Sequence, residues 1–349
     1  MIKKKTDKKI KNNVNKKYKI NYNTEKRYKK FISKLLIPFS LVYILVYAIV
    51  KYKFRKSKVI CKKTICIDSL INGGVNKVQF CSDVCNAFIN EGKKVCFITI
   101  DEKRKLKRNF IVPKDHYFLF NQSEVGKKSL LLCKKADVFV VDERENVEKN
   151  DYDVAICDEC FFDETIKKDC NIIVFDENCF IGNGYVKPAG KLKYRLKSLK
   201  KADFIIIVDE KKDRIEHQKD FLSKFIDRNR ILTASSVCNN SYDKSLNYIA
   251  FAKKVNSEIF FRIVKEQGFN VKKNLVFSRS KKNNNKFLDF LKLQFKLSGA
   301  DKIIISKTDY VELPKYFIDN LPFVVFDFNY KIDNIKEIVS FVLNDNEKK

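Results

Sequence analysis

The sequence predicts an α/β protein built on a parallel sheet that is covered by helices on both faces and followed by a second, smaller α/β domain. Short runs of β-branched and other apolar residues alternate along the chain with stretches of helical periodicity. Several runs end in acidic residues, as in TICID (64–68), DVAICDE (153–159) and FIIIVDE (204–210). Strands that are apolar throughout indicate burial on both faces, and such sheets bind ligands at the carboxyl ends of their strands. The terminal acids are therefore candidate site residues.

The length and composition suit two domains. The chain has 349 residues, 45% of them hydrophobic, which supplies enough apolar surface for real cores. We expect a basic disordered tail over 1–30, a membrane-anchoring helix over 31–57, a first α/β domain over 58–210 and a second over 211–349. The eleven cysteines lie largely in Val- and Ile-rich runs, which favours reduced, buried thiols over a disulfide scaffold.

An apolar segment precedes the first domain. The run LLIPFSLVYILVYAIV (35–50) holds sixteen uncharged residues, fewer than the ~20 needed to span the hydrocarbon of a bilayer. Lysines crowd both of its ends, and the positive-inside rule places Lys and Arg on the cytoplasmic side. This pattern favours an interfacial or re-entrant helix with both ends in the cytoplasm. A buried core helix is the alternative, and whether the segment spans or lies in the interface stays open.

The charge favours anionic partners. The 72 Lys and Arg residues exceed the 43 Asp and Glu residues, for a formal charge of +29. Such a chain is attracted to nucleotide phosphates, nucleic acid or an anionic membrane surface. A compositional bias towards Lys, Asn and Ile accounts for the charge equally well. No interleaved aromatic platform or nucleic-acid-binding motif accompanies the charge, so nucleic acid is not expected as a partner.

A glycine-containing turn joins the first strand to an amphipathic helix, in the segment SLINGGVNKVQF (69–80). Strand, turn and helix start with a lysine form the layout of a P-loop, in which main-chain N–H groups and the lysine hold phosphates. Gly73, Gly74, Asn76 and Lys77 are the candidate nucleotide-binding residues. An ordinary tight turn is the alternative, because Asn76 replaces the usual second glycine and Val78 replaces the hydroxyl residue that binds Mg²⁺. The apolar face of the helix is formed by Cys81, Val84, Cys85, Phe88 and Ile89, and Gly92 is the expected C-cap.

The segment FIGNGYVKPAGKLKYRLKSLKKADFIII (180–207) resembles the GNG-x-x-x-PAG-x-L…L-x-R-A-D motif of the tetraacyldisaccharide 4'-kinase family. The matching loop residues include Gly182, Asn183, Gly184, Pro188 and Gly190. The stretch LLIPFSLVY (35–43) looks like the membrane-associated helix of that family, and AFAKKVNSEIFF (250–261) and ISKTDYVEL (305–313) resemble two later motifs. The resemblance runs in order from about residue 31 to the C-terminus.

The resemblance implies a P-loop-type nucleotide-binding domain over 58–210 and a lipid A biosynthesis kinase at the cytoplasmic face of the inner membrane. Such an enzyme transfers the γ-phosphate of ATP to the 4'-hydroxyl of tetraacyldisaccharide 1-phosphate, a glycolipid precursor of lipid A. The implied cofactors are ATP and Mg²⁺. The paired acids of the family's DDG motif correspond to Asp158 and Glu159, which are the expected metal ligands.

The sequence departs from the family at the expected catalytic pair. The family's VGDEP corresponds to Val125–Ser129, so that Lys127 stands at the position of the Asp, and the expected His falls near Ser280. His116 and His217 lie elsewhere and are expected at the surface. Loss of a catalytic base lowers a rate about 10²–10⁴-fold. Two hypotheses follow: an active kinase, or a catalytically degenerate member that binds nucleotide or glycolipid without efficient turnover.

Overall fold

The computed structural model describes most of the chain between residues 32 and 344. The described ranges are 32–53, 57–71, 77–101, 104–148, 151–176, 180–208, 212–238, 241–253, 257–277, 285–310 and 313–344. Four sets of sequence predictions fall outside these ranges: the basic tail over 1–30, the turn residues Gly73, Gly74 and Asn76, the terminal acids Asp209 and Glu210, and Ser280.

Thirteen strands of the described residues form two sheets. Their bounds are β1 Lys63–Asp68, β2 Val95–Thr99, β3 Phe110–Val112, β4 Asp137–Val140, β5 Val154–Asp158, β6 Cys170–Asp176, β7 Phe204–Val208, β8 Ile231–Cys238, β9 Asn247–Lys253, β10 Asn270–Phe277, β11 Lys302–Ser306, β12 Phe323–Phe326 and β13 Phe328–Ile332. The larger sheet has the order β13-β8-β7-β6-β1-β5-β2-β4-β3, and the smaller has the order β10-β9-β11-β12. Within the larger sheet only the two edge pairs, β3 with β4 and β13 with β8, are antiparallel. The parallel-dominated sheets confirm the predicted α/β class.

Helices cover both sheets. Their bounds are α1 Ile37–Lys53, α2 Lys77–Asn90, α3 Gln122–Val125, α4 Lys127–Leu132, α5 Lys212–Leu222, α6 Ser257–Glu266, α7 Asn285–Ser298, α8 Lys307–Tyr310, α9 Lys315–Ile318 and α10 Lys336–Leu343.

The larger sheet is buried on both faces, as apolar strands require. Along β1, Ile65 and Ile67 join the core on one face with Phe80 of α2, while Cys66 joins a second core on the other face. This alternation follows from the two-residue repeat of a strand. The cysteines among the described residues are free thiols.

Helix α2 begins at Lys77 and ends as predicted. Gly92 has a φ of 70° and its N–H binds the carbonyl of Ile89, which is a glycine-terminated helix end. One residue of the predicted apolar face differs, because Ile89 is 40% exposed and Phe80 is fully buried in its place.

Four strands were not foreseen. β3 has only three residues. β8, β10 and β13 contain polar residues or lysines, so they lack the continuous apolar run of the central strands. The predicted domain boundary lies after residue 210. Because β8 and β13 belong to the larger sheet, that sheet contains strands from before and after this boundary.

Helix α1 follows a helical turn over 32–35 and contains 17 residues. Within the described part of the chain, no helix combines the length and the apolar character that crossing a membrane requires. One side of α1 is exposed and apolar, with Phe39, Leu41, Val42 and Leu45 each about 60% exposed. Ser40, on the other side, is 5% exposed.

Candidate functional site

The carboxyl ends of the central strands place the candidate acids together. β1 lies beside β5 in parallel register, with Ile67 opposite Asp158, and β2 lies on the other side of β5. Asp68 at the end of β1 and Asp158 at the end of β5 therefore share one edge of the sheet. The side chains of both are almost fully buried, at 5% and 4% exposure.

Lys77, the first residue of α2, reaches this edge. Its Nζ lies 2.8 Å from Oε1 of Glu159, and its side chain is 14% exposed. The N-terminus of a 14-residue helix favours anions, because its first N–H groups lack partners within the helix. The structure thus brings together three residues that the sequence predicted for one site: Lys77, Asp158 and Glu159.

Lys128, in the first turn of α4, bridges the two acids. Its Nζ lies 2.7 Å from Oδ2 of Asp158 and 2.9 Å from Oε2 of Glu159. The side chain is 32% exposed, so the ammonium group lies at the rim of the site. The sequence analysis did not single out Lys128. Pairing of α4 with β5 is a tertiary contact, and no periodicity or spacing in the sequence signals it.

The charges shift the pKa values of this cluster. Burial opposes the charged form of Glu159, but Lys77 and Lys128 outweigh burial and hold the pKa of that carboxyl far below its usual value. Burial likewise opposes the charge on Lys128, while Asp158 and Glu159 raise its pKa above the usual value for lysine. Glu159 and Lys128 are therefore both ionised at neutral pH.

The backbone positions Glu159. Its φ of 55° is unusual for a residue with a side chain and costs on the order of 1 kcal/mol. Its N–H binds the carbonyl of Ile67 at 3.1 Å. Arg144 also stabilises this turn. It donates hydrogen bonds to the carbonyl of Asp158 at 2.6 Å and to Oδ2 of Asp163 at 3.2 Å. These contacts hold the turn in a shape that directs Glu159 towards the two lysines.

Asp68 connects the site to the segment that carries the family motif. Lys193 Nζ lies 2.9 Å from Oδ1 of Asp68, and the N–H of Lys193 binds the carbonyl of Leu70 at 2.7 Å. Asp68 also accepts a hydrogen bond from the N–H of Ser69 at 2.6 Å. The sequence analysis missed Lys193, although it lies only three residues beyond Gly190.

The motif loop itself binds helix α1. Asn183 Nδ2 donates to the carbonyl of Ala189 at 3.0 Å and to Oγ of Ser33 at 2.8 Å. Ser40 Oγ donates to the carbonyl of Val186 at 2.8 Å and accepts from the N–H of Ala189 at 3.1 Å. The motif loop therefore holds the N-terminal helical segment at Ser33 and Ser40, and Asn183 is the predicted loop residue that takes part.

Glycines are required in this loop by its shape. A Cβ on Gly190 would lie 2.0 Å from the carbonyl oxygen of Tyr185 and 2.3 Å from Oδ1 of Asn183. Gly182 and Gly184 have φ values of 60° and 76°, in the left-handed region that glycine tolerates. Pro188 is exposed at the turn between them and Gly190.

The expected catalytic positions have a different chemistry. The backbone of Lys127 begins α4. Next to it, Gly126 has a φ of 91°, and a Cβ there would lie 2.0 Å from Oδ2 of Asp101. The Asp101 carboxylate, from the segment after β2, thus packs against Gly126, the residue before the position where the family motif has its Asp. His116 and His217 are both exposed, as expected.

A cavity of about 610 Å³ opens beside Lys128, between α2 and the segment 326–330. Four lysines contribute to its wall: Lys128, Lys134, Lys135 and Lys307. Val78 and Gln79 at the start of α2 line it as well. Asp83 and Asp327 line it too, and Lys307 is paired with Asp327 at 2.6 Å, so the wall carries both charges with an excess of lysines.

Three buried polar atoms near this edge have no hydrogen-bond partner among the described residues: Thr99 Oγ1 at the end of β2, Asp158 Oδ1 at the end of β5, and Ser129 Oγ beside Lys128. Buried polar atoms are normally paired. The site therefore has unused hydrogen-bonding capacity of the kind that a polar ligand or water fills.

Comparison with known proteins gives consistent matches. The family model described as LpxK, tetraacyldisaccharide-1-P 4'-kinase, matches residues 32–345. The tetraacyldisaccharide 4'-kinase of Rickettsia bellii is 26% identical over 290 residues, which cover 82% of this chain and 87% of that protein. The enzyme of Rickettsia canadensis is 28% identical over 247 residues, covering 69% and 72%. The crystal structure of the apo form of LpxK from Aquifex aeolicus in complex with ATP matches 90% of this chain and 99% of that chain. Its TM-score of 0.66 at 20% identity establishes the similarity of fold.

Proposed function

Because the chain belongs to the tetraacyldisaccharide-1-P 4'-kinase family, we propose that it is a phosphotransferase that moves the γ-phosphate of ATP to the 4'-hydroxyl of tetraacyldisaccharide 1-phosphate. The match over residues 32–345 includes every element of the site described above.

One observation carries the proposal at the level of chemistry. Lys77 is the first residue of the 14-residue helix α2, which follows β1 along the chain, and its ammonium group pairs with Glu159 beyond the end of β5. A helix N-terminus with a lysine is suited to hold the triphosphate of ATP, since both are positive. Lys128 lies beside the same acids, and Lys134 and Lys135 line the adjacent cavity. The role of Gly73, Gly74 and Asn76 in the phosphate turn stays a prediction.

In the proposed reaction, the 4'-oxygen attacks the γ-phosphorus of ATP. A bond forms between them, the bond from the γ-phosphorus to the bridging oxygen breaks, and ADP leaves with that oxygen. The hydroxyl proton passes to a base. Catalysis of this type depends mainly on positioning and on stabilisation of the phosphoryl charge. Lys77 and Lys128 supply the positive charge in this site.

The base is not Lys127, because a protonated lysine cannot accept a proton. Asp101 is the candidate that we propose in its place. Its carboxylate packs against Gly126, directly beside the position at which the family motif has an Asp. A carboxylate of this kind can accept the proton of the attacking hydroxyl.

The family resemblance also implies Mg²⁺ with Asp158 and Glu159 as ligands. Mg²⁺ needs near-octahedral oxygen ligands at about 2.0–2.1 Å. In this structure Lys128 already bridges the two carboxylates, and Lys77 pairs with the other oxygen of Glu159. The residues present therefore do not fit a tightly held divalent ion, and no step of the reaction is assigned to one.

We propose that the enzyme acts at the cytoplasmic face of the inner membrane, where its glycolipid substrate lies. The exposed apolar side of α1, with Phe39, Leu41 and Leu45, suits the interface between headgroups and acyl chains. The excess of lysines suits an anionic membrane surface.

A direct assay tests the proposal. The full-length protein in detergent micelles or vesicles is incubated with γ-labelled ATP and tetraacyldisaccharide 1-phosphate, and labelled bisphosphate is separated and counted. We expect transfer to the lipid, reduced about 100-fold or more by Lys77→Ala because one preorganised cation is lost. Folded protein that binds ATP yet gives no labelled lipid would identify a catalytically degenerate member and overturn the proposed activity.

A further inference from the structure

Lys128 has a position that the chemistry of the family motif does not explain. Its ammonium group lies within 2.9 Å of an oxygen on each of two consecutive carboxylates, Asp158 and Glu159. In a P-loop enzyme, a carboxylate at this place and a hydroxyl at the start of the helix hold the divalent cation that accompanies the nucleotide. Here the residue after Lys77 is Val78, whose side chain packs against the core and has no oxygen.

The charges of the cluster are already matched. Two carboxylates, from Asp158 and Glu159, meet two ammonium groups, from Lys77 and Lys128. A divalent ion bound by the same carboxylates would lie within a few ångströms of the Lys128 ammonium group. Two positive charges at that separation in a half-buried site repel strongly, since solvent screens them little. The pairs must therefore break before these carboxylates can bind an ion.

From this geometry we propose that the Lys128 ammonium group replaces the divalent cation of the site, so that the chain binds a nucleoside triphosphate without requiring a divalent metal. The inference rests on the proposed function, because it concerns the nucleotide of that same site. Lys128 is anchored to the acids on one side and lines the basic cavity on the other. Its charge is thus available to phosphate oxygens while it stays paired with the carboxylates.

Substitution of Lys128 by alanine tests the inference directly. Lys128→Ala leaves Asp158 and part of Glu159 without a cation, at a site that a triphosphate must approach. ATP binding in the variant is then opposed by unpaired negative charge, and a divalent ion regains a place between the carboxylates. The matched control is Lys200→Ala, which removes the same charge from an exposed residue in the short helix that leads into the amino end of β7.

The test measures ATP affinity by isothermal titration calorimetry on the full-length protein, once with Mg²⁺ and once with EDTA. For the wild type and Lys200→Ala, we expect dissociation constants that differ less than about threefold between the two conditions. For Lys128→Ala, we expect affinity to fall at least about tenfold in EDTA and to recover with Mg²⁺. Titration of Mn²⁺ alone, followed by its electron paramagnetic resonance signal, should show ion binding to Lys128→Ala and not to the wild type.

Two results would overturn the inference. If wild-type ATP binding requires Mg²⁺, Lys128 does not replace the ion, while the proposed kinase function still stands. If Lys128→Ala behaves like Lys200→Ala in all conditions, the bridge has no role in nucleotide binding. A folded wild type that binds ATP in neither condition would instead overturn the proposed function itself, and with it the inference that rests on it.

Discussion

Ser40 Oγ donates a hydrogen bond of 2.8 Å to the carbonyl of Val186, and this bond joins helix α1 to the motif loop of the larger sheet. The same hydroxyl accepts from the N–H of Ala189. One buried side chain thereby satisfies two main-chain groups of a loop that is more than a hundred residues away in the sequence. Helix α1, which is expected to meet the membrane, is thus hydrogen-bonded directly to the motif loop.

Ser40→Ala should loosen this connection. Without the hydroxyl, the carbonyl of Val186 and the N–H of Ala189 lose a buried partner, at a cost of about 1–3 kcal/mol. We expect faster hydrogen exchange in α1 and in the segment 183–190, measured by mass spectrometry. Ser198→Ala is the control, because its hydroxyl binds only the local carbonyl of Arg195. Equal exchange in the two variants would show that Ser40 does not hold the helix.

Gly190→Ala should be far more damaging than Gly184→Ala. A Cβ on Gly190 meets the main-chain oxygen of Tyr185 at 2.0 Å, and a main-chain atom cannot move aside cheaply. Gly184 has a φ of 76° but no atom within 4 Å of its Cβ position, so its substitution costs only the strain of a left-handed residue, about 1 kcal/mol. Melting temperatures of the two variants test this difference. A melting temperature for Gly190→Ala at or above that of Gly184→Ala would contradict the close packing of the loop.

These two residues mark what the sequence could and could not predict. The GNG and PAG motif identified Gly184 and Gly190 as motif residues. Only the structure shows that Gly190 is required because a Cβ would clash, and Gly184 because of its positive φ. The central strands and their terminal acids were predictable because buried parallel strands appear as continuous apolar runs. Strand β13 was not, since its alternating FNYKI pattern at a sheet edge is short and half polar. Lys128 was not predictable either, because its role depends on how closely α4 approaches β5.

The stability of the acid cluster should depend on pH. The pKa of Glu159 is lowered in the folded protein relative to its usual value of about 4.5. A carboxyl with a lowered folded-state pKa adds stability above its unfolded pKa, and this contribution is lost as the pH falls towards the folded value. We therefore expect the wild type to melt above Glu159→Gln at neutral pH, and the gap to narrow as the pH drops from about 5 to about 3.

Differential scanning calorimetry across this range measures the gap. Glu91→Gln, at an exposed turn after α2, is the control and should follow the wild type at each pH. A gap that stays constant or widens on acidification would show that the ion pairs of Glu159 with Lys77 and Lys128 do not contribute to stability.

Asp101→Asn tests the candidate base. The amide keeps the shape of the side chain beside Gly126 but cannot accept the proton of the attacking hydroxyl. If Asp101 is the base, kcat should fall about 10²–10⁴-fold while the KM for ATP changes little. Asp115→Asn, at an exposed position in the segment 114–119, is the matched control and should keep full activity. A variant at Asp101 that retains the rate would exclude it as the base, and the proton would then have to leave through another group or through water.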